Sequence, residues 1–269
     1  MKLATESATF ARNEKKLIEV LVWVLNWGFS SQSVLMLVAR TTDRKYVTGL
    51  AGNKEEKEKT VEVEGKEKSK KKAEMNEKFL DVSLTNSCQP RKLFKLSREG
   101  FAFAIRKASA LEWHPGFARF RSCAIPLTNV VHDLTCQFLT LSALRAERIC
   151  AYESAYMIGK TPRSDRNFKH PDVVWVLEDQ ARIAIEYERT WKSGDQMKNF
   201  VFTIAMSLDP ENVGSDGKYQ RFVIFVESKV FAHHYKEAIS RLARQRLPFD
   251  PAPAQWSDFV AIIILEDEL

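Results

Sequence analysis

Residues 171–188, PDVVWVLEDQARIAIEYE, decide how the second half of this chain folds. Two apolar runs, 172–177 and 181–188, are separated only by Glu178, Asp179 and Gln180, and this pattern predicts two strands joined in a hairpin. Alternation along the second strand sends Glu186 and Glu188 to one face and Tyr187 to the other. A carboxylate at the end of so apolar a strand is costly unless it is solvated, paired or bound to a cation. Asp172 and Glu186 are therefore the first candidate metal ligands, with Glu188 beside them, and oxygen donors of this kind suit Mg²⁺ or Mn²⁺.

Downstream, the spacing predicts a helix over about 193–207, a strand at 221–227, a helix at about 230–244 and a strand at 259–266. The last strand–helix–strand unit reads as a βαβ crossover with strands buried on both faces. Upstream lies a helix over roughly 128–150 that carries His132. At about 100° per residue, Glu147 and Glu153 would fall about 60° to either side of His132 if the helix ran that far. One of the two glutamates, Glu147 or Glu153, is then a third candidate ligand, and His132 a residue that positions phosphate or base. Pro115, Gly116 and Pro126 break the pattern over 108–126, which is expected to link two domains, 1–107 and 127–269.

The first domain opens with NEKKLIEVLVWVLNWGF at 13–29, whose apolar residues recur at helical spacing. A second helix capped by Ser30 or Ser31 follows, then a polar break at 41–43 and a third helix with Arg44, Lys45 and Tyr46. Three short helices in this order are a helix-turn-helix pattern. KFLDVSL and RKLFKL read as strands, and the second runs into a helix whose N-cap is Ser97, so the strand pair forms a wing. The interleaved Lys and Glu of 51–78 are read as an exposed charged insertion with no assigned role. Arg44 and Lys45 on the third helix, with Arg91 and Lys92 on the wing, are the candidate DNA contacts, of a kind that fixes register on the phosphates.

The formal net charge is +6, and residues 1–107 hold 22 basic against 14 acidic side chains. A basic first half suits a polyanionic partner. The four cysteines have no zinc-finger spacing, which points to a reducing compartment, and the apolar stretch from Leu17 to Phe29 is interrupted by Glu19 and Asn26, so neither a signal peptide nor a membrane span is expected. A cytoplasmic protein is expected.

The hairpin resembles the core of the PD-(D/E)xK nuclease superfamily, whose pattern is Pro-Asp, a gap, then Asp or Glu, any residue, and Lys. Here Pro171-Asp172 and Glu186-Tyr187-Glu188 match it, except that Glu188 stands where the lysine would be. That lysine positions or activates the attacking water in the superfamily, and Lys192 and Lys198 are the substitutes at hand, with Lys198 preferred. The wider order (a winged helix, the His132 helix, Pro171-Asp172, the Glu186 strand, a helix with Lys198) is similar to the replication-relaxation family and the MobC-type relaxases of mobilisable plasmids. That resemblance implies an α+β, α/β chain with an N-terminal winged helix-turn-helix and a restriction-endonuclease-like mixed sheet flanked by helices. It also implies a metal-dependent enzyme that nicks DNA at a plasmid origin of transfer, alongside an accessory mobilisation protein and a coupling ATPase.

One other reading stays open, and one is set aside. The missing lysine after Glu186 suits a non-catalytic winged-helix DNA-binding protein of plasmid replication, mobilisation or transcription control. A relaxase chemistry built on paired histidines and a nucleophilic tyrosine is disfavoured: His233 and His234 are adjacent at the start of a helix, and Tyr187 points away from the two glutamates.

Overall fold

The computed structural model describes residues 2–51, 78–85, 90–110, 125, 127–158, 169–208, 219–243 and 259–265. The chain is a mixed α+β protein with two sheets, and it divides into two compact units, residues 1–130 and 131–269. The expected linker lies mostly outside the described residues; its first residues, 108–110, are instead the last of a helix, and the division falls at Val130 and Val131. The charged insertion also lies outside, except at its edges.

In the first unit, α1 (Lys2–Trp27) precedes a two-residue strand β1 (Ser30–Ser31), α2 (Gln32–Val38) and α3 (Arg44–Leu50). Ser31 Oγ accepts from the Val34 N–H and Asp43 Oδ1 from the Lys45 N–H, so both short helices are capped at the polar residues that precede them. β2 (Leu80–Leu84) and β3 (Lys92–Leu96) pair antiparallel, and β1 joins the other edge of β3, giving the order β1-β3-β2. β3 then feeds α4 (Arg98–Ala110), and Ser97 Oγ accepts from the Gly100 N–H at 2.9 Å. Lys107 of α4 reaches Glu14 of α1 at 2.5 Å.

The second unit opens on α5 (Val130–Arg145), followed by β4 (Ala151–Ser154), a short α6 (Ala155–Ile158), β5 (Val173–Val176), β6 (Arg182–Glu188), α7 (Gly194–Leu208), β7 (Arg221–Val226), α8 (Lys229–Ala243) and β8 (Val260–Ile264). The sheet order is β4-β5-β6-β7-β8. β5 and β6 form the expected antiparallel hairpin, turned at Asp179-Gln180 with Gln180 at φ 65°, while β6, β7 and β8 run parallel. Both parallel steps are crossovers through a helix, α7 and then α8.

The sheet has two unlike faces. Met197, Phe200, Val201, Ile204 and Leu208 of α7 recur at helical spacing and bury with Tyr235 and Ile239 of α8 against Val174, Ala184, Phe222 and Ile224. Trp175 faces the other way, donating to Thr140 of α5 at 3.1 Å and meeting Phe225 at 6.0 Å. Every residue of β7 after Arg221 is buried, as expected of a central parallel strand. β8 departs from the expectation of burial on both faces: it is the edge strand and mostly half-buried.

β4 was not anticipated. The expected helix over 128–150 stops at Arg145, Glu147 takes a left-handed φ of 54°, and the chain then returns as a strand antiparallel to β5. No helix among the described residues is long and apolar enough to cross a membrane.

Candidate active site at the open end of the hairpin

Asp172 and Glu186 stand where the hairpin places them. Val173 pairs with Ile185, and the Asp172 N–H donates to the Ile185 carbonyl at 3.0 Å, so Asp172 lies one register step further, beside Glu186. β6 then carries Glu186 and Glu188 to the face shared with Ala184, and Tyr187 to the opposite face.

His132 enters from the first turn of α5. Its Nε2 lies 3.1 Å from Asp172 Oδ2 and 3.1 Å from the Tyr187 carbonyl, and its Nδ1 is 3.2 Å from Asp133 Oδ1. The Tyr187 N–H donates to the same Asp172 oxygen at 2.9 Å. Asp172, His132 and the backbone of residue 187 therefore close a three-membered ring of hydrogen bonds. Burial lowers the pKa of His132, but the hydrogen bonds and negative charges of Asp133 and Asp172 outweigh it and raise it to about 10. In the bare protein His132 is an imidazolium that holds Asp172 in place.

Glu186 is only 1% exposed. Its Oε2 meets Lys169 Nζ at 2.8 Å, while its Oε1 is buried with no hydrogen-bond partner among the described residues. Burial, and then the charge of Asp172, push its pKa to about 8 against the opposing pull of Lys169. Lys169 itself is desolvated, which lowers its pKa, but Glu186 and the further carboxylates raise it overall, so it stays an ammonium. Glu188 is paired with Lys192 and accepts from Tyr235 Oη at 3.3 Å.

Other expected site residues fall elsewhere. Glu153 lies on β4, not on the α5 helix, and its carboxylate is clasped by both terminal nitrogens of Arg182 at 2.7 and 2.8 Å. The Glu153 carboxylate is thus engaged by Arg182 rather than by His132 or Lys169, the partners of Asp172 and Glu186. Glu147 is exposed beyond the end of α5. Lys198 is exposed and paired with Asp195 at 3.1 Å rather than with Glu186 or Glu188.

The lysine that does meet the buried carboxylate is Lys169, three residues before Asp172. Strand register gave no sign of it: Lys169 lies outside β5, and its N–H donates to Ser207 Oγ of α7 at 2.9 Å. Cys136, one helical turn after His132, was also not anticipated; its Sγ and donor atoms of His132 and Asp172 lie within 4.8 Å of one another. Burial first, and then the charges of Asp172, Asp133 and Glu186, hold that thiol well above its usual pKa. Without a metal the thiol is held in its protonated form. In the first unit, Arg44, Lys45, Arg91 and Lys92 are all exposed, as phosphate contacts require.

Compared with protein-family models, with curated proteins and with solved structures, the chain finds no match in any of the three.

Proposed function

We propose that the chain is a DNA-binding, metal-dependent nuclease: a winged-helix unit that docks on DNA through α3 and the β2–β3 wing, and a PD-(D/E)xK-like unit that cuts one strand. The observation that carries this reading is Glu186, a buried carboxylate with one oxygen on Lys169 and the other unpartnered, one register step from Asp172 at the end of the central hairpin. The order α5, β4, β5, β6, α7, β7 around that hairpin supports it.

The donor set fits a hard divalent cation. An orphaned, buried carboxylate oxygen costs about 1–3 kcal/mol or more, and a cation would remove that cost. The donors that Asp172 and Glu186 offer are carboxylate oxygens, which suit Mg²⁺ or Mn²⁺. Asp172 and Glu186 would hold it. Such an ion supplies Lewis acidity toward a phosphodiester and acidifies bound water. The chain's own residues do the rest: His132 and the Tyr187 N–H fix the Asp172 carboxylate, and Lys169, kept protonated, donates a hydrogen bond to phosphate oxygen or water rather than acting as a base. The similarity to MobC-type relaxases extends the reading to a plasmid origin of transfer, with an accessory mobilisation protein and a coupling ATPase as partners.

One feature favours a second reading. Asp172, Glu186 and Glu188 each already have a cationic partner in His132, Lys169 and Lys192, an arrangement that also suits a nuclease-like unit retired to a structural role in a DNA-binding protein. Nicking of supercoiled plasmid in Mg²⁺, Mn²⁺ or EDTA decides between them. Relaxed circles that need metal and vanish in Asp172→Ala and Glu186→Ala, with DNA binding intact, support the enzyme; binding without cleavage under any of these conditions supports the second reading.

A further inference from the structure

The loop that joins β6 to α7 leaves the candidate active site through Arg189, Thr190, Trp191 and Lys192. Trp191 is 49% exposed, yet its ring is fixed from behind: His234 of α8 stacks on it with centroids 3.6 Å apart and planes 24° from parallel, and Phe231 packs at 5.6 Å. His234 is itself anchored, its Nε2 lying 2.8 Å from the Lys192 carbonyl. Tyr235, the next residue, bonds both Glu188 and the Thr190 carbonyl. The exposed indole is thus tied through one turn of α8 to the carboxylate strand. A half-exposed tryptophan held rigid by an aromatic backing is preorganised for a flat, stacking partner, since its side-chain entropy is already spent.

The same turn of α8 borders a crevice of about 510 Å³ lined by His234, Lys236, Glu237, Ala238, Ser240 and Arg241. Lys236 and Arg241 are exposed, so the crevice offers a partner two cations against the one carboxylate of Glu237. An aromatic platform continued by a short basic groove is the arrangement that binds single-stranded nucleic acid, with bases on the ring and phosphates along the cations. In a duplex the base faces are already stacked on their neighbours, so a lone ring of this kind is addressed to an unpaired base.

We infer that Trp191 is a stacking platform for an unpaired base next to the cleavage site, and that Lys236 and Arg241 follow the phosphates of the same single strand. This inference rests on the nuclease reading for the identity of the polymer, but its test needs no cleavage. The full-length protein in EDTA is titrated against a labelled mixed-sequence single-stranded oligodeoxynucleotide and against the duplex of the same length, by fluorescence anisotropy, with circular dichroism as a check on folding. Trp191→Ala weakens single-strand binding about tenfold and leaves duplex binding unchanged, and Trp191→Phe retains most of the affinity. Lys236→Ala combined with Arg241→Ala lowers the salt slope for the single strand by about 1.4, as loss of two phosphate contacts requires. Equal single-strand affinity for wild type and Trp191→Ala overturns the inference, as does parallel loss on single strand and duplex. A Trp191→Ala change that alters only sedimentation behaviour overturns it too, marking the ring as a protein contact. A protein that binds single strands through Trp191 yet never cuts refutes only the nuclease reading; one that cuts and is indifferent to Trp191→Ala refutes only this inference.

Discussion

Lys169, in the segment that leads into β5, and Glu186 of β6 meet at 2.8 Å, the lysine half-buried and the glutamate almost wholly so. Taking two charges out of water is expensive, and their mutual attraction repays the cost only while both are present. Lys169→Met therefore leaves a buried carboxyl without its counter-charge and lowers stability by about 3 kcal/mol near pH 8. Adding Glu186→Gln to that variant recovers much of the loss. Urea denaturation of wild type, both single variants and the double variant gives the coupling directly, and additive effects would refute it.

The same pair separates two lysines that the sequence leaves as rivals. Lys169→Met lowers plasmid nicking about 100-fold, the cost of removing one preorganised donor from a charged reaction. Lys198→Ala leaves nicking unchanged, because its ammonium is exposed and bound to Asp195. The reverse ranking in a metal-supplemented nicking assay would return the role to α7.

His132 makes stability depend on alkaline pH. Its pKa is about 10 in the folded, metal-free protein against 6.5 for the free side chain, so folding tightens its proton. The stabilisation is complete below pH about 6.5 and is lost as pH rises through about 10. Denaturation midpoints of EDTA-treated protein should fall across that interval, and His132→Gln should flatten the fall. Glu186, raised to about 8 from 4.5, also loses stability as pH rises, but over the lower window between those values, so Glu186→Gln changes a different part of the curve.

In the first unit, Gly100 carries a packing demand that no other side chain can meet. A Cβ built there would lie 1.9 Å from the Phe79 carbonyl oxygen. That carbonyl accepts from the Ser97 N–H, so it cannot retreat without breaking the join between β2 and α4. Gly100→Ala should cost about 2 kcal/mol or more by forcing backbone apart, and Ser97→Ala about 1 kcal/mol by removing the cap. Thermal denaturation checks both, and hydrogen exchange should show the loss confined to residues 78–110.

The regular elements were readable because their signals are local. The hairpin, the capped helices at Ser31, Asp43 and Ser97, and the crossover strands all follow from apolar period and punctuation. β4 was hidden because Ala-Tyr-Glu-Ser has neither alternation nor β-branched residues, and its strand state comes from pairing with β5. Losing β4 misplaced Glu153, whose helical phase meant nothing once the chain turned back after Glu147. Asp172, Glu186, Glu188 and His132 were legible as a group, since strand alternation and a helix start fix them. Lys169 was missed because a motif search looks for its lysine after the acid, whereas here the lysine comes from the coil before Asp172, a placement that depends on its contact with Ser207 of α7.

His132 and Asp172 meet directly and are also bridged by the backbone of residue 187, whose N–H serves Asp172 and whose carbonyl serves His132. A joint of that kind is written in a part of the chain that substitution does not edit. Nineteen of the twenty residues could stand at 187 and keep the N–H; proline alone would delete it. The backbone half of the alignment can thus survive drift in the tyrosine, while the ring that packs on His132 at 5.5 Å is the half that substitution can reach.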